Sequence, residues 1–173
     1  NLRSMFERLQ SPYLGFIPDF STSMIAVPEG HWRNLRRAGA PEALIAAAKS
    51  IWLTDDPIPT KFGALAEACQ QYGATPEVIG QINMTMTMYG HMPIERWLEL
   101  LPYVNHVHGK YYEVNADGIE PSIPYHQLMQ LLRREGYRGT ISAEWEGQAH
   151  TEEPIGFQQV AAWNAMCKRF LEE

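Results

Sequence analysis

Apolar residues along most of this chain recur at helical spacing, and three short runs break that rhythm and read as strands. The first is Tyr13-Leu14-Gly15-Phe16-Ile17, nearly continuous in apolar character, which follows a short helix over residues 2–9 and ends at Pro18-Asp19. Residues 103–108 form the second and residues 140–144 the third, the latter marked by β-branched positions and flanked by Gly139 and Gly147. Between the first two lies a helical stretch over residues 29–52, interrupted near Gly39-Ala40-Pro41, then a turn-rich break at residues 55–59. Helices are predicted over residues 61–72, 77–88 and 94–101, the middle one opened by Thr75-Pro76 and the last ended by Pro102. Met84, Met86 and Met88 alternate like a strand stripe, but Met is a gap filler and helix or irregular structure is expected there. An amphipathic helix over residues 125–135, with Leu128, Leu131 and Leu132 on one face and Gly136 as its cap, precedes the third strand. A helix over residues 157–171 closes the chain.

That order of strand, helices, strand, helix, strand and helix is the rhythm of a parallel α/β fold. With 173 residues, 45% of them hydrophobic, the chain suits one domain with its own core, residues 1–173. Its early first strand reads as a start in the middle of a fold. Fourteen Lys and Arg against twenty Asp and Glu give a net charge of -6, which argues against nucleic acid as a partner. The first twenty residues contain Arg3, Glu7, Arg8 and Asp19, and no apolar run is long enough for a membrane span. A soluble, cytoplasmic protein is expected. Cys69 and Cys167 lie on segments of helical spacing and read as small apolar residues in a reducing compartment.

Side chains alternate along a strand, so His106, His108 and Lys110 project to one face and Val107 to the other. Glu144 and Glu146 share a face by the same rule, with Trp145 opposite, and Asp19 stands where the first strand ends. In a parallel barrel the C-terminal ends of strands form the active-site rim. An Asp, one or two His and a Glu make a ligand set suited to Mn²⁺, Mg²⁺, Co²⁺ or Zn²⁺ with positions left open for substrate oxygens.

The wording of these strands adds a second line of argument. Val104-Asn105-His106-Val107-His108-Gly109-Lys110 resembles the xylose isomerase-like strand in which a metal-binding His precedes a Lys by two residues. Gly136-Tyr137-Arg138-Gly139-Thr140-Ile141-Ser142-Ala143-Glu144 resembles the last barrel strand of that superfamily, which ends in a Glu ligand, and residues 11–19 resemble the strand ending in its Asp ligand. The resemblance implies the C-terminal half of a (β/α)8 barrel, with Asp19, His108 and Glu144 as metal ligands and Mn²⁺ as the leading ion. It also implies a fourth ligand, a Glu, on an earlier strand, and a missing N-terminal barrel half without which the sheet has an open edge. Gly109-Lys110-Tyr111-Tyr112 and Glu144-Trp145-Glu146-Gly147 are similar to a branch that includes C-glycoside deglycosidase catalytic subunits.

The resemblance implies a metal-dependent isomerase, epimerase or lyase acting on a sugar, keto-sugar or cyclitol derivative. A proton next to a metal-polarised carbonyl would be removed, with Glu144, His106 and Lys110 as catalytic groups and Glu146, Lys110 and His150 against the substrate. A homo- or hetero-oligomer is expected. The alternative is a non-catalytic sugar-binding or regulatory subunit on the same barrel; an abasic-site endonuclease is disfavoured by the acidic balance. Each residue also has a plainer reading. Asp19 can cap the segment beginning Ser21, His106 and His108 can be hydrogen-bonded core residues, and Glu146 can pair with Lys110. His31, His91, His126 and His150 are expected at the surface, with His150 near enough to the last strand to reach the rim. Trp32, Trp52, Trp97, Trp145 and Trp163 are expected to pack helices on the sheet.

Overall fold

The computed structural model describes residues 2–151 and 153–172, and its order is helix-rich with a small parallel sheet. Helix α1 spans Leu2–Leu9, α2 Glu29–Arg37, α3 Glu42–Leu53, α4 Ile58–Gln71 and α5 Pro76–Met88. Strand β1 is His106–Tyr111, helix α6 Tyr125–Arg134, strand β2 Thr140–Trp145 and helix α7 Gly156–Glu172. The predicted break at Gly39-Ala40-Pro41 separates α2 from α3, with Gly39 at φ 87°, a left-handed value. Thr75 caps α5 through its side chain, which accepts from the Val78 N–H, and Pro76 follows at the first helical position. Met84, Met86 and Met88 all fall inside α5, where Met86 is buried and the other two are exposed.

Strands β1 and β2 pair in parallel with Lys110 opposite Glu144, His108 opposite Ser142 and His106 opposite Thr140. On the other side of β1, Phe16 bridges Val104 and Asp19 bridges His108, both in the parallel sense. Three extended segments therefore run side by side, in the order residues 16–19, β1, β2. Three parallel extended segments are seen among the described residues.

The expected continuous strand at residues 13–17 is reduced to those bridges. Tyr13 is 96% exposed and Ile17 53%, so the apolar run has β1 on one side and no strand on the other among the described residues. An extended chain at the edge of a sheet leaves one row of its backbone groups to water. The second strand is displaced, beginning at His106 rather than residue 103 and running on to Tyr111. The helix expected over residues 94–101 is instead two short 3-10 turns, Ile94–Glu99 and Leu101–Tyr103.

One face of β1 is packed. Val107 and Tyr111 are fully buried, and between them a Cβ on Gly109 would stand 2.6 Å from the Trp163 ring of α7, so only glycine lets α7 close on this strand. Trp32, Trp52, Trp97 and Trp163 are all buried at 5% exposure or less, as their predicted packing role requires, while Cys69 and Cys167 are buried free thiols. Between β1 and α6 the loop turns around Glu120, whose carboxylate accepts from the Ile123 N–H at 2.6 Å, the Ser122 N–H at 2.9 Å and the Ser122 hydroxyl. Burial pushes that carboxyl up to about 7 against the pull of these donors. No helix among the described residues is long and apolar enough to cross a membrane.

Candidate metal centre

The opposite face of β1 is polar and half open. Asp19, His108 and Glu144 come from the three neighbouring extended segments, and each offers one ligand atom lying within 4.8 Å of the other two. The strand register explains why. Asp19 is bridged directly to His108, and Glu144 sits one alternation beyond Ser142, the residue opposite His108. Asp19 fills its predicted plainer role as well: Oδ1 accepts from the Ser21 N–H at 2.8 Å and caps a short 3-10 turn, leaving Oδ2 to the site.

Lys110 stands over this face with its ammonium 2.6 Å from Asp19 Oδ2, 3.0 Å from Glu146 Oε1 and 3.9 Å from Glu144 Oε2. Burial by itself would lower its pKa, but the hydrogen bonds to Asp19 and Glu146 outweigh burial and raise it, so the side chain is held as a cation. The pairing of Lys110 with Glu146 follows from the register, since Lys110 is opposite Glu144 and Glu146 is its diagonal neighbour on the same face.

Whether the trio suits a metal can be judged from Glu144 Oε2. This atom is buried and accepts no hydrogen bond; it lies 3.2 Å from His108 Nδ1 without the alignment such a bond needs. A buried carboxylate oxygen lacking a donor is costly unless something positive takes its lone pair. The spacing to His108 is near the roughly 3 Å that separates neighbouring donors around a small divalent ion. One imidazole and two carboxylates therefore fit a hard-to-intermediate cation. Such an ion and the Lys110 ammonium both draw on the Asp19 carboxylate.

The other predicted residues divide. His106 is on the same face, one step back, with Nδ1 2.6 Å from Thr140 Oγ1 and Nε2 3.0 Å from Ser142 Oγ, so both ring nitrogens are already engaged by β2 hydroxyls. His150 is on the 3-10 turn after β2, but it faces α2 and α5: Nδ1 is 3.4 Å from Asn34 Nδ2 and Nε2 is 3.5 Å from the Tyr89 hydroxyl. His31 is not at the surface as expected. It is 6% exposed, with Nε2 2.9 Å from Thr85 Oγ1 and Nδ1 3.4 Å from the same Tyr89 hydroxyl. Sequence alone signalled this poorly, because α2 carries Arg33, Arg36 and Arg37 and reads as a solvated helix. The spacing of His31 with Trp32 and Leu35, all three buried, was the available clue.

No protein-family profile matches the chain. Individual curated proteins do. Over 177 residues covering 97% of the chain, it is 31% identical to the 3'-dehydrocarminate deglycosidase alpha subunit of a Microbacterium species. Over 99% of the chain it is 30% identical to a C-glycoside deglycosidase alpha subunit of Arthrobacter globiformis, and over 84% it is 33% identical to a second such subunit from the same organism. Its relatives are C-glycoside deglycosidase alpha subunits. The chain spans about half the length of those deglycosidase subunits, 51% and 50% of the first two. The aromatic residues after Lys110 are Tyr111, stacked 5.7 Å from the Trp163 ring, and Tyr112, which packs 5.9 Å from the His150 ring.

Proposed function

We infer that this chain carries the C-terminal part of a xylose isomerase-like (β/α)8 barrel and supplies Asp19, His108 and Glu144 to a divalent-metal centre that cleaves a C-glycoside as its keto-sugar. The observation that carries this reading is the convergence of three donors from three adjacent parallel segments on a face where Glu144 Oε2 is buried without a hydrogen bond. Two of the relatives' names support this chemistry: one is a 3'-dehydrocarminate deglycosidase alpha subunit, the other a C-glycoside deglycosidase alpha subunit. Mn²⁺ is the leading ion, with Mg²⁺, Co²⁺ or Zn²⁺ as alternatives. A divalent ion at this face would polarise the sugar carbonyl and acidify the neighbouring C–H.

The chain's own residues divide the remaining work. Lys110, held as a cation between Asp19 and Glu146, is placed to donate to a sugar oxygen and offset negative charge there. Glu146 orients that ammonium. With both nitrogens bonded to Thr140 and Ser142, His106 serves to fix its own ring beside His108, 5.5 Å away, rather than to move a proton. Removal of the proton next to the carbonyl, cleavage of the bond between the neighbouring carbon and the aglycone, and delivery of a proton to that aglycone carbon would give an unsaturated keto-sugar and a free aglycone, an elimination and hence a lyase reaction rather than an isomerase or epimerase one. The relatives are alpha subunits, and a hetero-oligomer is the matching assembly for this chain.

Metal content and Mn²⁺ affinity test the reading, measured on the full-length protein beside its Glu144→Gln and His108→Ala variants. The expected result is about one bound ion per chain in wild type and a loss of well over 100-fold in affinity in either variant, more than outer-shell changes cause. A wild-type protein that binds no Mn²⁺, Mg²⁺, Co²⁺ or Zn²⁺ would hand the chain to the alternative, a sugar-binding or regulatory subunit.

A further inference from the structure

A buried carboxylate set apart from Asp19, His108 and Glu144 ties together the loops on which they stand. Glu120, in the loop between β1 and α6, is 3% exposed. Its bonds to Ser122 and Ile123 hold the end of the loop, just before α6, and the Tyr112 N–H, just past β1, draws on the same carboxylate. Both ends of the loop therefore meet on one side chain. The Ser122 carbonyl in turn accepts from the Ile25 N–H at 2.8 Å and the Ala26 N–H at 3.2 Å, which joins this loop to the one that follows Asp19.

The clasp continues to the metal face through Tyr125. Its N–H donates to the Ile123 carbonyl at 2.8 Å, and its ring packs edge-on against Phe20, next to Asp19, at 5.1 Å. Its hydroxyl donates to the Lys110 carbonyl at 2.7 Å and accepts from Trp163 Nε1 at 2.8 Å, so its one proton is committed to Lys110. The Lys110 carbonyl meets a side chain here because the extended segment beside β1 stops at Asp19 and turns into the 3-10 helix Phe20–Thr22. A hydroxyl thus takes the place of the next ladder bond.

A loop can be closed by neutral bonds alone, and burying a carboxylate costs stability even with donors around it. Charge-assisted bonds are shorter and roughly twice as strong as neutral ones, so a carboxylate fixes two loop ends more narrowly. The group that gains from narrow fixing is Lys110. Its ammonium has to stay between two carboxylates, 2.6 Å from Asp19 and 3.0 Å from Glu146, and a shift of its backbone would carry it off both.

We propose that Glu120 is a positioning residue for Lys110, acting through Ser122, Ile123 and Tyr125 to set where β1 presents its ammonium on the metal face. The placement stands on the bonds above; its bearing on catalysis rests on the reading of Lys110 as the group that donates to the sugar.

Amine labelling of the metal-free full-length protein with acetic anhydride, read lysine by lysine in a mass spectrometer, tests the placement. It is done at pH 8, above the value of about 7 to which burial raises the Glu120 carboxyl. Lys61, 7% exposed and bonded to the Trp52 carbonyl at 2.8 Å, is the internal control for general loosening. Glu120→Gln sets an amide NH2 among N–H donors and should speed labelling at Lys110 about tenfold; Tyr125→Phe should speed it about fivefold, the sizes of a charged and a neutral hydrogen bond. Ser122→Ala, which removes one hydroxyl donor and little bulk, should speed it about threefold and keeps the test open if the other two fail to fold. Lys61 should stay at its wild-type rate throughout. Unchanged Lys110 labelling in the folded variants, or Lys61 speeding in step with Lys110, overturns the proposal, since Glu120 would then only support the fold. Turnover of a 3-keto C-glycoside separates the two readings. In a protein that cleaves it, kcat should fall in the order of Lys110 labelling while KM holds, because Lys110 meets charge that develops only in the transition state; an unchanged kcat overturns the positioning role. A wild-type protein that neither binds metal nor cleaves the glycoside, yet releases Lys110 in these variants, keeps the clasp and loses the lyase.

Discussion

Two pairs of histidines in this molecule receive opposite treatment. His106 and His108 stand on the polar face of β1, where His108 lies against a carboxylate and His106 against two hydroxyls, and the His108 side chain is 41% exposed. His31 and His150 lie between α2, α5 and the turn after β2, among aromatic rings, with the Tyr89 hydroxyl between them. The first setting offers carboxylates that a cation can share. In the second, polar contacts link Asn34, His150, Tyr89, His31 and Thr85, with no carboxylate among them. The difference teaches that a histidine's surroundings, and not its presence near the strand ends, decide whether it meets charge: His108 of the open pair lies within reach of two carboxylates, and the enclosed pair lies among rings and neutral groups.

The largest test of that contrast beyond metal binding is acid. Burial first, and then neighbouring His150, depress the His31 pKa from 6.5 to about 4. A folded-state value below the unfolded one means that the unfolded chain takes up the proton first as pH falls, so stability is full above about 6.5 and is lost on the way down to about 4. A shift of that size corresponds to about 3 kcal/mol in total, of which about 2 kcal/mol should be gone by pH 5. Urea unfolding at pH 7 and pH 5 reads it as the difference between wild type and His31→Gln, because Glu120, held up to about 7 by burial, gains stability over the same window in both proteins and would offset the loss if wild type were read alone. His31→Gln, which can still bond Thr85, should flatten this acid limb even though it lowers stability at pH 7. An acid limb of the same depth in the variant would place the sensitivity elsewhere and dissolve the distinction between the two pairs.

Much of the site was legible in the sequence, and for a simple reason. Alternation along a strand needs no tertiary information, so the shared face of His106, His108 and Lys110 and that of Glu144 and Glu146 followed from the order of residues alone. The role of Asp19 was legible both ways and proved double, as cap and as member of the trio. What the sequence could not supply was partnership across long separations. The run at residues 13–17 has the composition of a strand, but a strand also requires a partner in continuous register, and here only Phe16 and Asp19 bridge to the neighbouring segment while Tyr13 and Ile17 are left exposed. His31 is fifty-four residues from Thr85 and fifty-eight from Tyr89, so nothing local marks it as enclosed. The placement of His150 depends on Gly30, whose missing side chain makes room for it, a relation invisible until α2 and the turn are side by side.

The smallest effect is the most diagnostic of how the enclosed pair is held. Tyr89→Phe keeps the ring against Tyr112, 5.6 Å away, and removes only the hydroxyl that spans His31 and His150. Both contacts, at 3.4 and 3.5 Å, are at the long limit of hydrogen bonding, so neither is worth its full value in the native state. Losing them nonetheless leaves His31 Nδ1 buried without a donor, and a cost of about 1 kcal/mol is expected, seen as a lower denaturant midpoint with an unchanged slope. Metal affinity should not move, because the hydroxyl belongs to the other histidine pair. If the midpoint stays where it is, the enclosed histidines are held by ring packing alone. In that case Asn34, which bonds the Ala149 carbonyl at 2.9 Å, is what orients His150.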